Sequence, residues 1–431
     1  MPRVRSTSPG RPAFLHRLRI LASVPGRAVG GPTNGRTQPT TSPPTGSDQP
    51  LRTGVTVGDV LGTGSRAGVL QRAVALAAGL VVVAASGCGS GDDSVTTADG
   101  SVVTSTTRIA DAGVLGNDRR PDESCAAEPA PLDDGPPQRE VSNAAAHGVT
   151  PPVPETTLVP ADPQRIVVLS GDHLDTLCAL GLQSRIVAAA LPDGHDDQPA
   201  YLGTTIHDLP AVGHRSEPDI AAIRDAGPDL ILGSVEQVAG QFPDLADIAP
   251  TVLTAPPGAV WKDNLRAVGA AVGRVDAANR LIDDFDRAAA RTGVDNDATH
   301  FQASVVQFTD TTLRVFGTDN FPGSVLAATG VDRPVTQRFS DKPFLEISDA
   351  DLSDGSDLSV VDGDIVYVSF ATAEAKDRAV EVMRGDAWKR LSANRDSRVF
   401  AVNNEVWQAG DGIVAARGIL ADLRWLNAPI N

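Results

Sequence analysis

Beyond residue 164 the chain alternates short apolar runs with stretches of helical periodicity. Arg165-Ile-Val-Val-Leu169 is rich in β-branched residues and ends at Ser170-Gly171-Asp172, the pattern of a buried strand. Asp172 is placed to cap a helix in which Leu174, Leu177 and Leu180 recur on one face before Gly181. Further strands are predicted at 186–190, 229–232 and 251–254, with helices at 219–226 and 242–248. Residues 261–291 then carry no Pro and an apolar stripe through Val268, Val272, Val275, Leu281, Ile282 and Phe285. Such a helix would reach about 45 Å, with Gly273 as the place where it could break. The alternation resumes with strands at 303–308, 313–316, 364–369 and 398–402, and helices at 323–329, 373–383 and 412–426. The phrase Gly227-Pro-Asp-Leu-Ile-Leu-Gly-Ser234 is echoed by Gly363-Asp-Ile-Val-Tyr-Val-Ser369. Strand–helix alternation builds parallel βαβ units. The layout predicted is an α/β fold: two α/β lobes, 121–260 and 294–431, joined by one long helix at 261–293, with a ligand cleft between the lobes.

Charge divides the chain differently. The net charge over 431 residues is −17, yet residues 1–87 carry ten Arg against Asp48 and Asp59, or +8, which leaves −25 for the rest. An acidic folded region argues against a nucleic-acid partner. Arg66 and Arg72 precede the apolar run 73–85, and small residues follow, the three parts of a secretory signal. Its end, Ala85-Ser86-Gly87-Cys88, resembles a bacterial lipobox, departing from the usual pattern at Ala85. We therefore expect a lipoprotein signal peptide at 57–87, lipidation at Cys88, and an extracytoplasmic protein anchored to the cell membrane by that lipid. Residues 1–56 read as a disordered leader, either a genuine extension or the product of a misassigned start near Val57 or Val60. Residues 88–120, dominated by Gly, Ser, Thr, Asp and Ala, read as a disordered tether. An exported chain meets oxidising conditions, so Cys125 and Cys178 are expected to form a disulfide, the alternative being two free thiols. The bridge would close a loop of about 50 residues.

The order of motifs resembles the periplasmic substrate-binding proteins of iron-siderophore, haem and cobalamin importers. The phrases that carry the resemblance are Arg165-Ile-Val-Val-Leu, Val212-Gly-His-Arg-Ser-Glu-Pro218, Gly227-Pro-Asp-Leu-Ile-Leu232, the long helix, Glu346-Ile-Ser348 and Asp364-Ile-Val-Tyr. The pattern is most similar to the mycobacterial ferric-dicitrate or siderophore lipoproteins, the FecB-like group. The resemblance implies a helical-backbone periplasmic-binding fold and a receptor for an iron complex, a ferric siderophore or haem, that feeds an ABC importer. It implies no cofactor and no enzymatic activity.

Ferric siderophores turn carbonyl and carboxylate oxygens outward, so a receptor should offer Arg forks and flat apolar surfaces. Open α/β sheets bind ligands beyond the carboxyl ends of their strands. These arguments nominate Ser170, Asp172, His214 and Arg215 in the first lobe. In the second they nominate Arg314 and Phe316, on one face by period-two alternation, with Arg338, Phe339, Tyr367 and Trp407. Trp388 is expected in the core. The loops His195-Asp196-Asp197 and His207-Asp208 read as polar surface rather than a metal site. Ser170-Gly-Asp-His173 has no nucleophile elbow around it, so no hydrolase is expected.

One departure bears on partners. In the resembled family a Glu on each lobe docks the permease, and here Ala221 and Ala350 stand at those positions. Glu217, Asp219, Asp349 and Asp351 lie nearby as substitutes, though one residue along a helix turns a side chain by about 100°. A membrane-tethered interaction protein of cell-envelope assembly that retains the binding fold is therefore the alternative function.

Overall fold

A computed structural model of the chain describes residues 94–96, 102–104, 107–348, 351–352 and 355–427. The leader, the signal segment, Cys88, Asp349 and Ala350 lie outside these residues.

The hairpin of β1 (Arg108–Ile109) and β2 (Ala112–Val114) falls inside the region assigned above to a disordered tether. Ala110 and Asp111 turn it with φ of 46° and 72°, the left-handed pair of a tight hairpin turn. Ala112 buries itself against the second lobe. Strands of two and three residues leave no readable period, which is why composition alone suggested a tether. A second hairpin, β3 (Gln138–Ser142) with β4 (Thr156–Pro160), is antiparallel.

Lobe one follows as β5 (Ile166–Val168), α1 (Gly171–Ala179), β6 (Ile186–Leu191), β7 (Ala211–His214), α2 (Ile220–Ala226), β8 (Leu230–Ser234), α3 (Phe242–Ala246) and β9 (Thr251–Thr254). Its sheet runs β9-β8-β5-β6-β7, all parallel. All of β5, β8 and β9 is buried, as the continuous apolar runs require. The strand order reverses between β5 and β8, so the crevice opens beyond Ser170 and Ser234.

The linking rod is interrupted. α4 (Trp261–Ala271) stops before Gly273, and α5 (Val275–Asp295) continues for 21 residues. Gly273 adopts φ +68°, and a Cβ there would lie 2.4 Å from the Ala161 carbonyl oxygen. The Asp133 carboxylate accepts the free N–H groups of Val275 and Asp276, capping the helix where it restarts.

Lobe two comprises β10 (Ala303–Phe308), β11 (Thr312–Phe316), α6 (Phe321–Thr329), β12 (Phe344–Ser348), β13 (Ile365–Phe370), α7 (Ala373–Arg384) and β14 (Val399–Ala401). Its sheet runs β12-β11-β10-β13-β14-β2-β1, parallel in the middle and antiparallel at both edges. Trp388 is fully buried 5.9 Å from the Phe308 ring, in the core as expected. A turn of π-helix (Glu405–Ala409) leads to α8 (Ile413–Leu423). Though assigned to the second lobe, α8 is held by the first: Asp175 of α1 accepts the Val414 and Ala415 N–H groups at 2.8 and 2.9 Å. Among the described residues no helix is long and apolar enough to cross a membrane.

The expected bridge is present. Cys125 and Cys178 are joined, fastening the segment before β3 to α1.

Candidate functional site

A cavity of about 390 Å³ lies between the carboxyl edge of the lobe-one sheet and lobe two. The loop Ala255–Val260 after β9 forms one wall; Pro256 and Pro257 make it apolar, and Val260 is exposed. Phe316, Asp319 and Pro343 line it from lobe two, together with Gln408 and Asp411 from the segment before α8. The first wall obeys the strand-end rule that nominated Ser170 and His214, yet the sequence reading passed over it. Asp411 was also missed. It sits between Gly410 and Gly412 at φ 49°, a left-handed conformation that Asp tolerates better than most residues.

The lobe-one edge is built around Arg215. Its guanidinium rests on Gly171, where an added Cβ would come within 2.6 Å of Nη2, so the first residue of α1 must be Gly for the cation to sit there. Ser170 and Asp172, expected to touch ligand, are 1% and 2% exposed and instead lie behind Arg215. Ser170 Oγ and Asn264 Nδ2 donate to the Asp172 carboxylate, whose charge favours ionised Arg215. Burial still lowers the Arg215 pKa from its ordinary value. Arg215 makes no ion pair among the described residues, and its Nε is buried without a partner. His214 is half-buried on the adjoining strand, with Nδ1 3.4 Å from the Pro192 carbonyl.

The lobe-two contribution is a sheet face. Arg314 pairs in register with Glu346 and Phe316 with Phe344, so all four share one side of β11 and β12. The Arg314 guanidinium lies 4.6 Å from the centre of the Phe344 ring, and its Nε donates to Glu346 at 2.9 Å. The period-two argument that put Arg314 beside Phe316 thus matches the register, and Phe316 reaches the cavity.

Other nominated residues sit elsewhere. Tyr367 and Trp407 have no exposed surface and stack at 4.6 Å; Trp407 Nε1 donates to Asp422 at 2.8 Å. They are core residues, which corrects their assignment as ligand contacts: Trp407 follows a strand end, but the π-helix turns it inward. Arg338 binds the Asp332 carboxylate and the Arg333 carbonyl, close to the amino end of β10. Phe339 packs its ring against Gly317, beside the cavity loop. Among the docking candidates, Glu217, Asp219 and Asp351 are exposed; Asp219 caps α2 through the Ala221 and Ala222 N–H groups, and Asp351 accepts from Ser348 Oγ. Ala221 is exposed one turn into the same region. Among the described residues no three His, Cys, Asp or Glu side chains meet in a metal-holding arrangement; His207 Nδ1 instead contacts the Gln198 carbonyl at 2.7 Å.

Two carboxyls near Arg215 are pushed far from their ordinary 3.8. Asp175 rises to about 7 because it is buried, despite hydrogen bonds from α8 and from the Tyr201 hydroxyl. Asp411 also rises to about 7, through burial and the nearby Asp172, Asp175 and Glu236 carboxylates, with Arg215 pulling the other way.

The fold agrees with what is found among known proteins. The chain is 30% identical over 289 residues to a probable siderophore-binding lipoprotein, YfiY, of Bacillus subtilis, covering 66% of this chain and 88% of that protein. It is 25% identical to the Fe(3+) dicitrate-binding periplasmic protein FecB of Escherichia coli, covering 60% and 83%. Among solved structures, Staphylococcus aureus SirA complexed with staphyloferrin B superimposes with a TM-score of 0.57 at 22% identity, covering 67% of this chain and 98% of that one. The periplasmic binding protein family model matches residues 166–406, more than half of the chain, and the chain belongs to that family.

Proposed function

We propose that this protein is an extracytoplasmic receptor, tethered through lipid at Cys88, that binds a ferric siderophore between its lobes and delivers it to an ABC importer. The observation that carries the reading is the unpaired Arg215 on its glycine seat, within electrostatic reach of Asp411, which lines the cavity of about 390 Å³. A guanidinium so placed suits the oxygens on the surface of a ferric complex. The Phe316 face offers the flat apolar contact such a complex also needs. The names of the relatives point to siderophores and ferric citrate, and they give the haem and envelope-assembly alternatives no support. In this reading, permease contact falls to the exposed Glu217, Asp219 and Asp351, with Asp349 beyond the described residues, since Ala221 stands where a Glu was expected.

Titration of the purified protein with ferric siderophores, followed by Trp fluorescence, tests the reading. Saturable quenching at micromolar ligand is expected, weakened about tenfold in Arg215→Ala through the lost charged hydrogen bond. Absence of quenching with every ferric complex would remove the receptor reading.

A further inference from the structure

The cavity is acidic where a receptor for anionic iron complexes would be basic. Among the described residues that line it, the charged ones are Asp319 and Asp411, and none is Arg or Lys. Asp319 is exposed. Neither carboxylate makes a hydrogen bond or ion pair among the described residues. The cations Arg314, Lys342 and Arg215 are not among its lining residues. Arg314 is paired with Glu346 and laid over Phe344. Lys342, exposed, sits 5.8 Å from the Phe339 ring. Arg215 is seated over Gly171 with Asp172 behind it. The field at Asp411 comes from Asp172, Asp175 and Glu236 against the single cation Arg215.

Asp411, half-buried and without a hydrogen bond, gains from a donor and from a positively charged donor most of all, while the exposed Asp319 adds to the negative field. Arg215 needs an acceptor for the same reason. Arg215 acts electrostatically on Asp411 without pairing with it, so a ligand that presents both a donor and an acceptor would serve the two together. We infer that the cleft selects a ferric complex carrying an ammonium group, with the ammonium among the Asp411 and Asp319 carboxylates and the iron-binding oxygens toward Arg215. This rests on the receptor reading and narrows its ligand class. Three hydroxamates cancel the charge of Fe(III), so a trihydroxamate with a pendant amine is a monocation. Three catecholates leave a trianion, and ferric citrate complexes are also anionic. The monocation gains from the two aspartates, whereas the anions are opposed by them. The apolar wall of Pro256, Pro257 and Phe316 suits the methylene chains that link hydroxamates.

The test uses a matched pair. Calorimetric titration compares the ferric complex of desferrioxamine B, which has a free ammonium, with its N-acetylated form, which has none, and with ferric dicitrate. The ammonium form is expected to bind about tenfold more tightly than the acetylated form, a preference that narrows at high salt. Asp411→Asn and Asp319→Asn should each reduce that preference; thermal melting confirms that the variants fold, and the wild-type comparison stands without them. Equal binding of the matched pair, or tighter binding of ferric dicitrate, overturns this inference and leaves the receptor reading standing. Binding of no ferric complex overturns both.

Discussion

In lobe one the Asp229 carboxylate accepts the backbone N–H groups of Gln164 and Arg165, leading into the neighbouring strand β5; in lobe two Asp364 does the same for Gln302 before β10. The repeated phrase that suggested two similar halves is thus a clamp at the start of parallel strands. It ties down donors that the first residues of a sheet would otherwise leave unpaired. The opposite ends of the lobes differ. Lobe one turns a parallel edge toward the cleft and seats a cation on a glycine. Lobe two adds the antiparallel β11 and β12, and Phe316 from their shared aromatic face lines the cavity. Shared architecture comes from the strand starts, and ligand chemistry from what each lobe does at the cleft.

The largest expected effects separate what holds each lobe. Replacing Cys125 and Cys178 by Ser should cost about 4 kcal/mol by loop entropy, read as a loss of denaturation midpoint, because the bridge spans 53 residues. Trp407→Ala should cost about 4 kcal/mol through the cavity left beside Tyr367, while Trp407→Phe should leave ligand affinity nearly unchanged. A large loss of affinity in a folded Trp407→Phe would return that residue to the site.

Next is the pH response of the carboxyls beside the lobe-one seat. Asp175 and Asp411 titrate near 7 when folded and near 3.8 when unfolded, so between these values the folded state holds more protons. Stability from these groups is therefore lost as pH rises through about 7. Melting temperature should rise on going from about pH 8 to about pH 6.5, and Asp411→Asn should flatten part of that rise. Below the ordinary His value of 6.5, buried His173, whose pKa is lowered by desolvation, works in the opposite direction. A flat profile from pH 8 to 6.5 would mean that the two carboxyls are solvated.

Gly171→Ala should displace Arg215 and weaken ferric-ligand binding about tenfold with a smaller change in stability. Gly171 is not among the glycines at positive φ, so the cost there is the clash and not the backbone. The smallest contrast lies between the clamps. Asp229→Ala should destabilise by about 2 kcal/mol and Asp364→Ala by about 1 kcal/mol, since the first frees two N–H groups and the second one. Equal effects would show that the lobes depend on their clamps to the same degree.

The strands were legible because buried parallel strands are written as continuous apolar runs, and the interruption at Gly273 because a glycine inside a long helical stretch weakens it. Phe316 was legible as an alternate-face residue and lines the cavity, while Arg215 and Arg314, nominated by strand-end and alternate-face arguments, are not among the residues that line it. Tyr367 and Trp407 were misread because an aromatic near a strand end looks the same whether it turns outward or inward, and the π-helix that turned Trp407 has no sequence signal. Asp411 went unread because nothing local distinguishes it from an ordinary turn residue, whereas the loop Ala255–Val260 directly follows a predicted strand and the strand-end rule could have found it. By itself the sequence determined the two α/β halves and the cysteine pair, because these follow from local periodicity and residue chemistry. Only tertiary structure decided that α8 is anchored by Asp175 of the opposite lobe and that Asp411 and Asp319 face one cavity, because those contacts join residues far apart in the chain whose meeting depends on how the lobes pack.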